Sequence, residues 1–319
     1  MSDNETRKRI RASSEPRPGP WDAIVIGSGL SGLTTAAGLA VRGKRVLVLE
    51  RHFQAGGFTH VFRRGEFEWD VGIHYLGNGE PFTHRGSDWF MQLAALTGGR
   101  ITFNPIGAPV DRIRFPGLAV DMPSLFDEYK EVLGDHFPAE RDGISSYLDY
   151  VAATRNRLRE YFATSLLPAP LTSAVRRLVL RNAHHAAMST TDQVMSEHIR
   201  DERLKDVLDA QWGNIGMPRR RCSFLIHAAM LGCFLERGAY YPNGGSSVFA
   251  RELSRTIDEH GSAIRTKAEV ERVLVERGRA VGVRLTDGEE IRADLVVSTA
   301  GVVNTYTRSE ERRVGKECA

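Results

Sequence analysis

The 319-residue chain has the length and composition of a two-domain soluble globular protein, with 41% hydrophobic and 26% charged residues. Its 43 lysines and arginines nearly balance 40 aspartates and glutamates, for a formal net charge of +3, which argues against a nucleic-acid-binding protein with its clustered basic face. The three cysteines, Cys222, Cys233 and Cys318, form neither a CxxC pair nor a Cys/His set with zinc spacing, so we expect no disulfide framework and no metal site.

Residues 1–20 are polar, basic and rich in proline, which predicts a disordered N-terminal tail. The tail lacks the apolar core of a secretory signal, and no apolar run reaches the roughly 18 residues that a membrane span needs. The longest candidate, Cys222–Phe234, is interrupted by His227 and Gly232. We therefore expect a cytoplasmic protein that does not span a membrane.

The first regular elements form one βαβ unit. The apolar run Ala23–Ile26 leads straight into glycine, as a buried parallel strand does. Leu30–Val41 follows with apolar residues at helical spacing, and Gly43 stands where the helix ends. Arg45–Leu49 is predicted to be a second buried strand.

A GxGxxG pattern joins the first strand to the helix. Gly27 suits the tight turn, Gly29 lets a pyrophosphate approach the backbone, and Gly32 permits close packing of helix and strand. The start of the helix then offers free N–H groups and a partial positive charge to phosphates. Glu50 ends the second strand, where a carboxylate accepts hydrogen bonds from a ribose and would repel a 2′-phosphate. The pattern predicts a dinucleotide site, with FAD and NAD both open at this point and NADP disfavoured.

Residues 60–240 differ in character, because helical patterns and scattered prolines replace the βαβ pattern. Ile144–Phe162 places its apolar residues on roughly one helical face, and Leu171–Arg181 alternates apolar and basic residues. The apolar residues of Phe224–Leu235 would either line a tunnel for a long apolar substrate or, more commonly, form an ordinary core helix. We interpret the stretch as a mostly helical second domain.

The first domain then resumes with a helix and several short strands. Ser246 and Ser247 are expected to cap a helix that ends at Gly261. The strands that we predict after it are Ala263–Thr266, a β-meander of Val270–Val275, Ala280–Leu285 and Glu289–Arg292, and a separate buried strand Asp294–Thr299.

Four separated stretches carry a resemblance to a known family. Asp22–Gly57, Gly56–Gly77, Tyr240–Val283 and Ala293–Gly301 resemble the phytoene desaturase, carotenoid isomerase and retinol saturase group of flavoproteins, and the GIHY of the second stretch is most similar to the retinol saturase branch. The resemblance implies an α/β fold. It would consist of a Rossmann-like FAD-binding domain (GR2-type, similar to amine oxidases and phytoene desaturases) with a β-meander and an inserted, mostly helical substrate domain.

The resemblance also implies non-covalently bound FAD and a set of residues that would hold it. In that assignment Gly27, Ser28, Gly29 and Gly32 hold the pyrophosphate, Glu50 and Arg51 lie at the adenosine ribose, Gly56 and Gly57 contact the flavin side, and Val270 presents its backbone to the adenine. NAD(P) or another external electron partner would complete the redox cycle. The family closes its flavin site with a further C-terminal segment that is not found in this chain, which puts FAD binding by the chain in doubt.

The expected domain boundaries follow from these assignments. Residues 21–65 and 241–307 would form the split FAD-binding domain, and residues 66–240 the substrate-binding domain. Arg308–Ala319 breaks the pattern, and codons for most of it match a common sequencing-library adapter, so we interpret residues 308–319 as an adapter-derived tail.

Because flavin carries out the redox chemistry, no catalytic triad is expected. His74 is a candidate proton donor as hydride moves to a carbon–carbon double bond, against the commoner interpretation of a histidine in a packed turn. The leading function is oxidation, reduction or isomerisation of a hydrophobic polyene or isoprenoid, with a flavin amine oxidase and a non-enzymatic prenyl-binding protein of the GDP-dissociation-inhibitor fold as alternatives. The basic amphipathic stretch Leu171–Arg181 raises the hypothesis of peripheral membrane contact, against an ordinary solvated helix face.

Overall fold

The chain leaves one folding unit, forms another, and returns to the first. The computed structural model describes residues 20–72, 75–77 and 89–307. The described part of the first unit comprises residues 20–72, 89–104 and 242–307, and that of the second unit residues 75–77 and 105–241. None of the helices in these described ranges is long and apolar enough to cross a membrane.

The elements are numbered in chain order over both units. The strands are β1 (Trp21–Ile26), β2 (Val46–Leu49), β3 (Val61–Arg64), β4 (Phe67–Asp70), β5 (Leu76–Gly77), β6 (Phe103–Pro105), β7 (Asp111–Phe115), β8 (Leu118–Met122), β9 (Ala239–Pro242), β10 (Ala263–Arg265), β11 (Val270–Glu276), β12 (Arg279–Leu285) and β13 (Glu290–Ser298). The α-helices are α1 (Leu30–Ala40), α2 (Trp89–Leu96), α3 (Phe126–His136), α4 (Arg141–Asn156), α5 (Leu158–Ala163), α6 (Ala169–Leu178), α7 (Arg181–Met188), α8 (Thr191–His198), α9 (Glu202–Leu208), α10 (Trp212–Ile215), α11 (Phe224–Arg237), α12 (Ser247–Glu259) and α13 (Val302–Thr307).

A six-stranded sheet in the order β10-β2-β1-β13-β12-β11 forms the centre of the first unit. The first four strands are parallel, and β11 and β12 extend the sheet as an antiparallel meander. Ala23, Ile24 and Val25 of β1 and all four residues of β2 are buried, as the continuous apolar runs predict for strands covered on both faces. The α/β class with a β-meander is therefore confirmed.

Strand β13 corrects one prediction. The sequence indicated two strands, Glu289–Arg292 and Asp294–Thr299, but a single strand spans both stretches. Its first half pairs antiparallel with β12, and from Ala293 onward it pairs parallel with β1. No turn residue separates the halves, so the backbone stays extended. The second half is also less buried than predicted, since Leu295 is 46% exposed.

Helix α12 packs an apolar face into the first unit but begins differently from the prediction. Val248, Phe249, Leu253 and Ile257 are buried, as the helical spacing indicated. Ser246 stands at the N-cap without a capping hydrogen bond from its side chain. Its hydroxyl donates instead to Oδ1 of Asp70, 2.7 Å away. Capping by Ser246 was therefore the wrong expectation, because its backbone is already helical, with φ of −64° and ψ of −26°, whereas a capping side chain accepts from the first turn when its own backbone is extended.

The second unit is mostly helical, with a core formed by α3, α4, α7, α8, α9 and α11 and the β7–β8 hairpin. The single helix predicted for Ile144–Phe162 is two helices. The Arg157 N–H donates to the Thr154 carbonyl three residues back, which tightens the chain between α4 and α5. As a result Phe162 is 52% exposed, while Tyr147 on α4 is fully buried.

Helix α2 and the residues after it lie in the first unit, although the sequence analysis placed residues 66–240 together in the other domain. Polar contacts hold this segment in the first unit. Arg100 donates to Oε2 of Glu252 at 2.9 Å and to the hydroxyl of Thr256 at 2.8 Å, both on α12. Thr256 in turn donates to the Leu96 carbonyl at the end of α2. These long-range bonds are not visible in local sequence periodicity.

Candidate functional site

The glycine loop, Gly27–Gly32, comprises the turn after β1 and the first residues of α1, and it excludes side chains at two of its glycines. Gly27 has a φ of +96°, and a Cβ there would lie 2.7 Å from Oγ1 of Thr299. A Cβ on Gly32 would lie 2.1 Å from the Gly27 carbonyl oxygen, which is impossible without moving the backbone. The close passage of α1 over the end of β1 therefore requires glycine at both positions, as the GxGxxG pattern predicts.

Gly29 differs, because nothing lies within 4 Å of the Cβ it would carry. It is the N-cap of α1, without a capping hydrogen bond from a side chain and without an acidic residue in the first turn. An eleven-residue helix with an uncapped N-terminus presents free N–H donors and the positive end of its dipole. The open side of Gly29 therefore has the geometry and the charge to receive an anion such as a pyrophosphate.

Glu50 follows β2 and is held as a carboxylate by three hydrogen bonds. The Ser28 N–H and hydroxyl donate to its Oε2 at 2.9 and 2.6 Å, and the His52 N–H donates to its Oε1 at 2.8 Å. Partial burial opposes ionisation, but the bonds from Ser28 and His52 outweigh it and lower the pKa of Glu50 below 4.5. The side chain is therefore fixed in place and negative, with lone pairs left for further donors such as ribose hydroxyls.

A second glycine pair, Gly56 and Gly57, lies against the first loop. Both have positive φ, +124° and +55°. The Gly56 N–H donates to the Ser28 carbonyl, and a Cβ on Gly57 would lie 3.0 Å from the Cα of Gly29. This contact brings the two glycine segments together across the end of the sheet.

A cavity of about 400 Å³ opens at this end of the sheet, within the first unit. We call it the nucleotide cavity. Six of the predicted cofactor residues line it: Gly27, Gly29, Glu50, Arg51, Gly57 and Val270. Gly32 and Gly56 shape its walls from behind through the close contacts described above. Ser28 is fully buried and bonded to Glu50, so its side chain supports the carboxylate and is not part of the lining.

Several residues of the nucleotide cavity were not predicted from the sequence. They are Phe58, the residues next to Val270 on β11, Ser298 at the end of β13, Thr299 directly after it, and Asn304 and Thr305 on α13. Thr299 is the most informative of them, because its hydroxyl donates to the Ile26 carbonyl at 2.9 Å and so ties the end of β13 to the glycine loop. The available signal was a Thr at the end of the predicted strand Asp294–Thr299. His74, the candidate proton donor, lies outside the described residues.

The residues present match the ADP half of a dinucleotide. An uncapped helix start faces one part of the cavity, a fixed carboxylate another, and the backbone of β11 forms a further wall. Glycine is required where a pyrophosphate would come closest, and space is open at Gly29. Fold and site geometry together are those of an α/β protein with a Rossmann-like dinucleotide-binding unit.

Comparison with known proteins identifies the family. The model of the flavin-containing amine oxidoreductases matches residues 30–306, and the chain belongs to this family. The cofactor class is therefore a flavin, in agreement with the resemblance noted in the sequence.

Individual relatives are more specific. The chain is 35% identical to an all-trans-retinol 13,14-reductase of Macaca fascicularis over 96% of its length and 52% of that relative. It is 30% identical to a chloroplastic prolycopene isomerase of Daucus carota over 90% of the chain and 47% of the relative. The chain spans about half the length of the curated relatives it matches.

One solved structure illustrates the fold. An oxidoreductase from Methanosarcina mazei superposes with a TM-score of 0.59 at 22% identity, covering 91% of this chain and 61% of that one. At this identity the match establishes the fold alone.

Proposed function

We propose that the chain is part of an FAD-dependent oxidoreductase that acts on carbon–carbon double bonds of a polyene or other isoprenoid. The observation that carries the proposal is the similarity to retinol reductases and prolycopene isomerases over nine-tenths or more of the chain. Both groups of relatives are named for hydrophobic polyenes, which supports a substrate of that class.

The residues of the chain would take the following roles. The N–H groups at the start of α1 would bind the pyrophosphate of non-covalently held FAD beside Gly29. Glu50 would accept hydrogen bonds from the adenosine ribose, with Arg51 next to it, and the backbone of Val270 would face the adenine. Gly56 and Gly57 would pass close to the flavin side. When bound, flavin would supply hydride transfer, and the protein would supply orientation and exclusion of water.

His74 is proposed to deliver a proton to the carbon that becomes reduced. The motivation is its place in the GIHY stretch, which the resemblance brings toward the flavin. We leave the identity of the electron partner open, and none of the relatives named above supports NAD(P) in that role. Peripheral membrane contact is likewise a proposal, and the surface for it is described in the next subsection.

The test is to add FAD to the purified protein, remove unbound FAD by gel filtration, record the visible absorption of the protein fraction, and incubate that fraction with retinol and with carotenes under reducing and oxidising conditions. A flavin band and a saturated, desaturated or isomerised product are expected. Glu50→Gln should lose the flavin band, while exposed Glu66→Gln keeps it. His74→Gln should keep the band but lower turnover. A flavin-loaded protein that forms no product from any polyene would refute the substrate class.

The same preparation separates the alternatives. Release of hydrogen peroxide with amines would favour a flavin amine oxidase, which the family as a whole includes by description. Absence of any flavin band would favour a prenyl-binding role without redox chemistry. The intact Gly27–Gly32 loop and the fixed Glu50 argue against that role, because a protein without a dinucleotide has no need of either.

A further inference from the structure

Helix α6 and its flanking residues in the second unit expose bulky apolar side chains. Leu166 is 89% exposed, Leu178 82% and Val179 71%, and Leu171 is 50% exposed. Isolated exposed leucines are ordinary, but several within one short stretch form a patch that marks an interaction site. We call Leu166, Leu171, Leu178, Arg177 and Arg181 the α6 surface.

The helix is oriented with its apolar stripe outward. Leu171 and Leu178 are seven residues apart and share a face, yet none of the ten residues of α6 is buried. A surface helix ordinarily packs its apolar stripe on the core and turns polar residues to solvent. Here the arrangement is reversed, and the reason lies in polar contacts on the opposite face.

Arg176 and Thr172 hold that opposite face against the protein. The Nε of Arg176 donates to the Thr164 hydroxyl at 2.7 Å, and its guanidinium carbon lies 4.4 Å from the centre of the Tyr161 ring. The Thr172 hydroxyl donates to the Thr164 carbonyl at 2.8 Å. These contacts fix the rotation of the helix, so the exposure of Leu171 and Leu178 is a built feature of the unit.

The charge around the helix has one sign. Between Arg157 and Ser189 the sequence contains five arginines and a single acidic residue, Glu160, which is paired with Arg157. Arg177 and Arg181 are exposed, and neither forms an ion pair with another described residue. Apolar side chains flanked by unpaired arginines complement a surface that is negative outside and apolar beneath.

We propose that the α6 surface docks on the interface of an anionic lipid bilayer. Leu166, Leu171 and Leu178 would enter the acyl boundary, and Arg177 and Arg181 would contact lipid phosphates. The proposal does not depend on the redox function, since it rests on the exposure, orientation and charge of this segment alone.

Flotation with lipid vesicles tests the proposal on the intact chain. The vesicles are phosphatidylcholine alone and phosphatidylcholine with phosphatidylserine. Wild type should float with the anionic vesicles and remain behind with the neutral ones. Leu171→Ser/Leu178→Ser and, separately, Arg177→Glu/Arg181→Glu should each weaken anionic binding at least tenfold, about 1.4 kcal/mol.

Matched controls use exposed residues of the same unit outside the α6 surface. Leu125→Ser/Met217→Ser removes comparable apolar side chains, and Arg112→Glu/Arg221→Glu makes the same change of charge. Both should float like wild type. Circular dichroism of all variants should be unchanged, because every substituted side chain is exposed.

Three results would overturn the proposal. The first is a wild-type chain that stays behind with anionic vesicles, and the second is unchanged flotation of both α6 variants. The third is a lipid-free oligomer, measured by light scattering, that Leu171→Ser/Leu178→Ser dissociates, because the surface would then bind a second copy of the chain.

Discussion

Ser28 forms hydrogen bonds that its position in the glycine loop does not suggest. The sequence placed it among the pyrophosphate-binding residues, and only the fold reveals that its hydroxyl and N–H both donate to Glu50. The glycines were predictable because steric limits on the backbone are local. The Ser28 hydroxyl and the Glu50 carboxylate are 22 positions apart, and they meet only because of how two strands align. No local sequence pattern encodes that alignment.

Ser28→Ala is expected to lower the free energy of unfolding by about 1 kcal/mol at neutral pH, because one hydrogen bond to a partly exposed charged group is lost. The pKa of Glu50 is lowered on folding, so its contribution is complete above its unfolded-state pKa near 4.5 and is lost as the pH falls. The variant should therefore approach wild type as the pH falls below the unfolded-state pKa and Glu50 becomes protonated in the folded protein.

Urea unfolding at neutral and acidic pH measures the difference. The control is Ser31→Ala, which removes an exposed serine from the first turn of the same helix and should match wild type at every pH. If Ser28→Ala showed the same loss at all pH values, the ionised form of Glu50 would not be what Ser28 stabilises.

Helix α1 and strand β1 have to approach within backbone contact for the nucleotide cavity to form. Two glycines of α1, Gly32 and Gly38, allow this steric requirement to be distinguished from the general effect of glycine on helix stability. A Cβ on Gly32 would strike the Gly27 carbonyl at 2.1 Å, whereas a Cβ on Gly38 would meet only the end of the Arg42 side chain at 3.7 Å.

Gly32→Ala is expected to destabilise the protein by about 3 kcal/mol or more, because the helix has to move off the strand. Gly38→Ala should instead stabilise it by roughly 0.5–1 kcal/mol through higher helix propensity. Thermal unfolding of both variants checks the pair. Equal effects of the same sign would show that helix propensity and not helix–strand contact determines the outcome.

The elements themselves were largely visible in the sequence, because the parallel strands and the meander are short apolar runs bounded by glycine. The prediction failed on where two of the elements are continuous and where they are interrupted. Ile144–Phe162 is periodic throughout but is interrupted at Arg157, and β13 is continuous although its two halves have different partners. Periodicity reports which face is apolar, and it does not report where a hydrogen-bond ladder changes partner.

The stability of the second unit should depend on pH through a buried histidine. His227 on α11 is 1% exposed, and the Tyr147 hydroxyl lies 2.8 Å from its Nε2. Burial lowers the pKa of His227 from 6.5 to about 4. Since the unfolded chain binds the proton more tightly, the contribution of His227 to stability is complete above pH 6.5 and falls as the pH drops toward about 4, by roughly 3 kcal/mol.

Two variants distinguish burial from the hydrogen bond in urea titrations over this pH range. His227→Gln should flatten the dependence, because an amide can still pair with Tyr147 but does not titrate. Tyr147→Phe should lower stability by about 1 kcal/mol at every pH and keep the slope. An unchanged slope in His227→Gln would place the titrating group elsewhere.

The division of the chain was foreseen only in outline, since α2 joins the first unit through the bonds of Arg100 to α12. Such contacts link residues more than 150 positions apart, and their pairing is a property of the assembled unit.

The same long separations govern the order of events during synthesis. Strand β1 is synthesised well before β13, which is one of its two neighbours in the sheet, and the bond from Thr299 to Ile26 spans 273 positions. The entire second unit is therefore synthesised before β13, and until then one edge of β1 has no strand to pair with. An unpaired apolar strand is prone to pair with other chains. The six-stranded sheet of the nucleotide-binding unit can therefore be completed only after β13 has been synthesised.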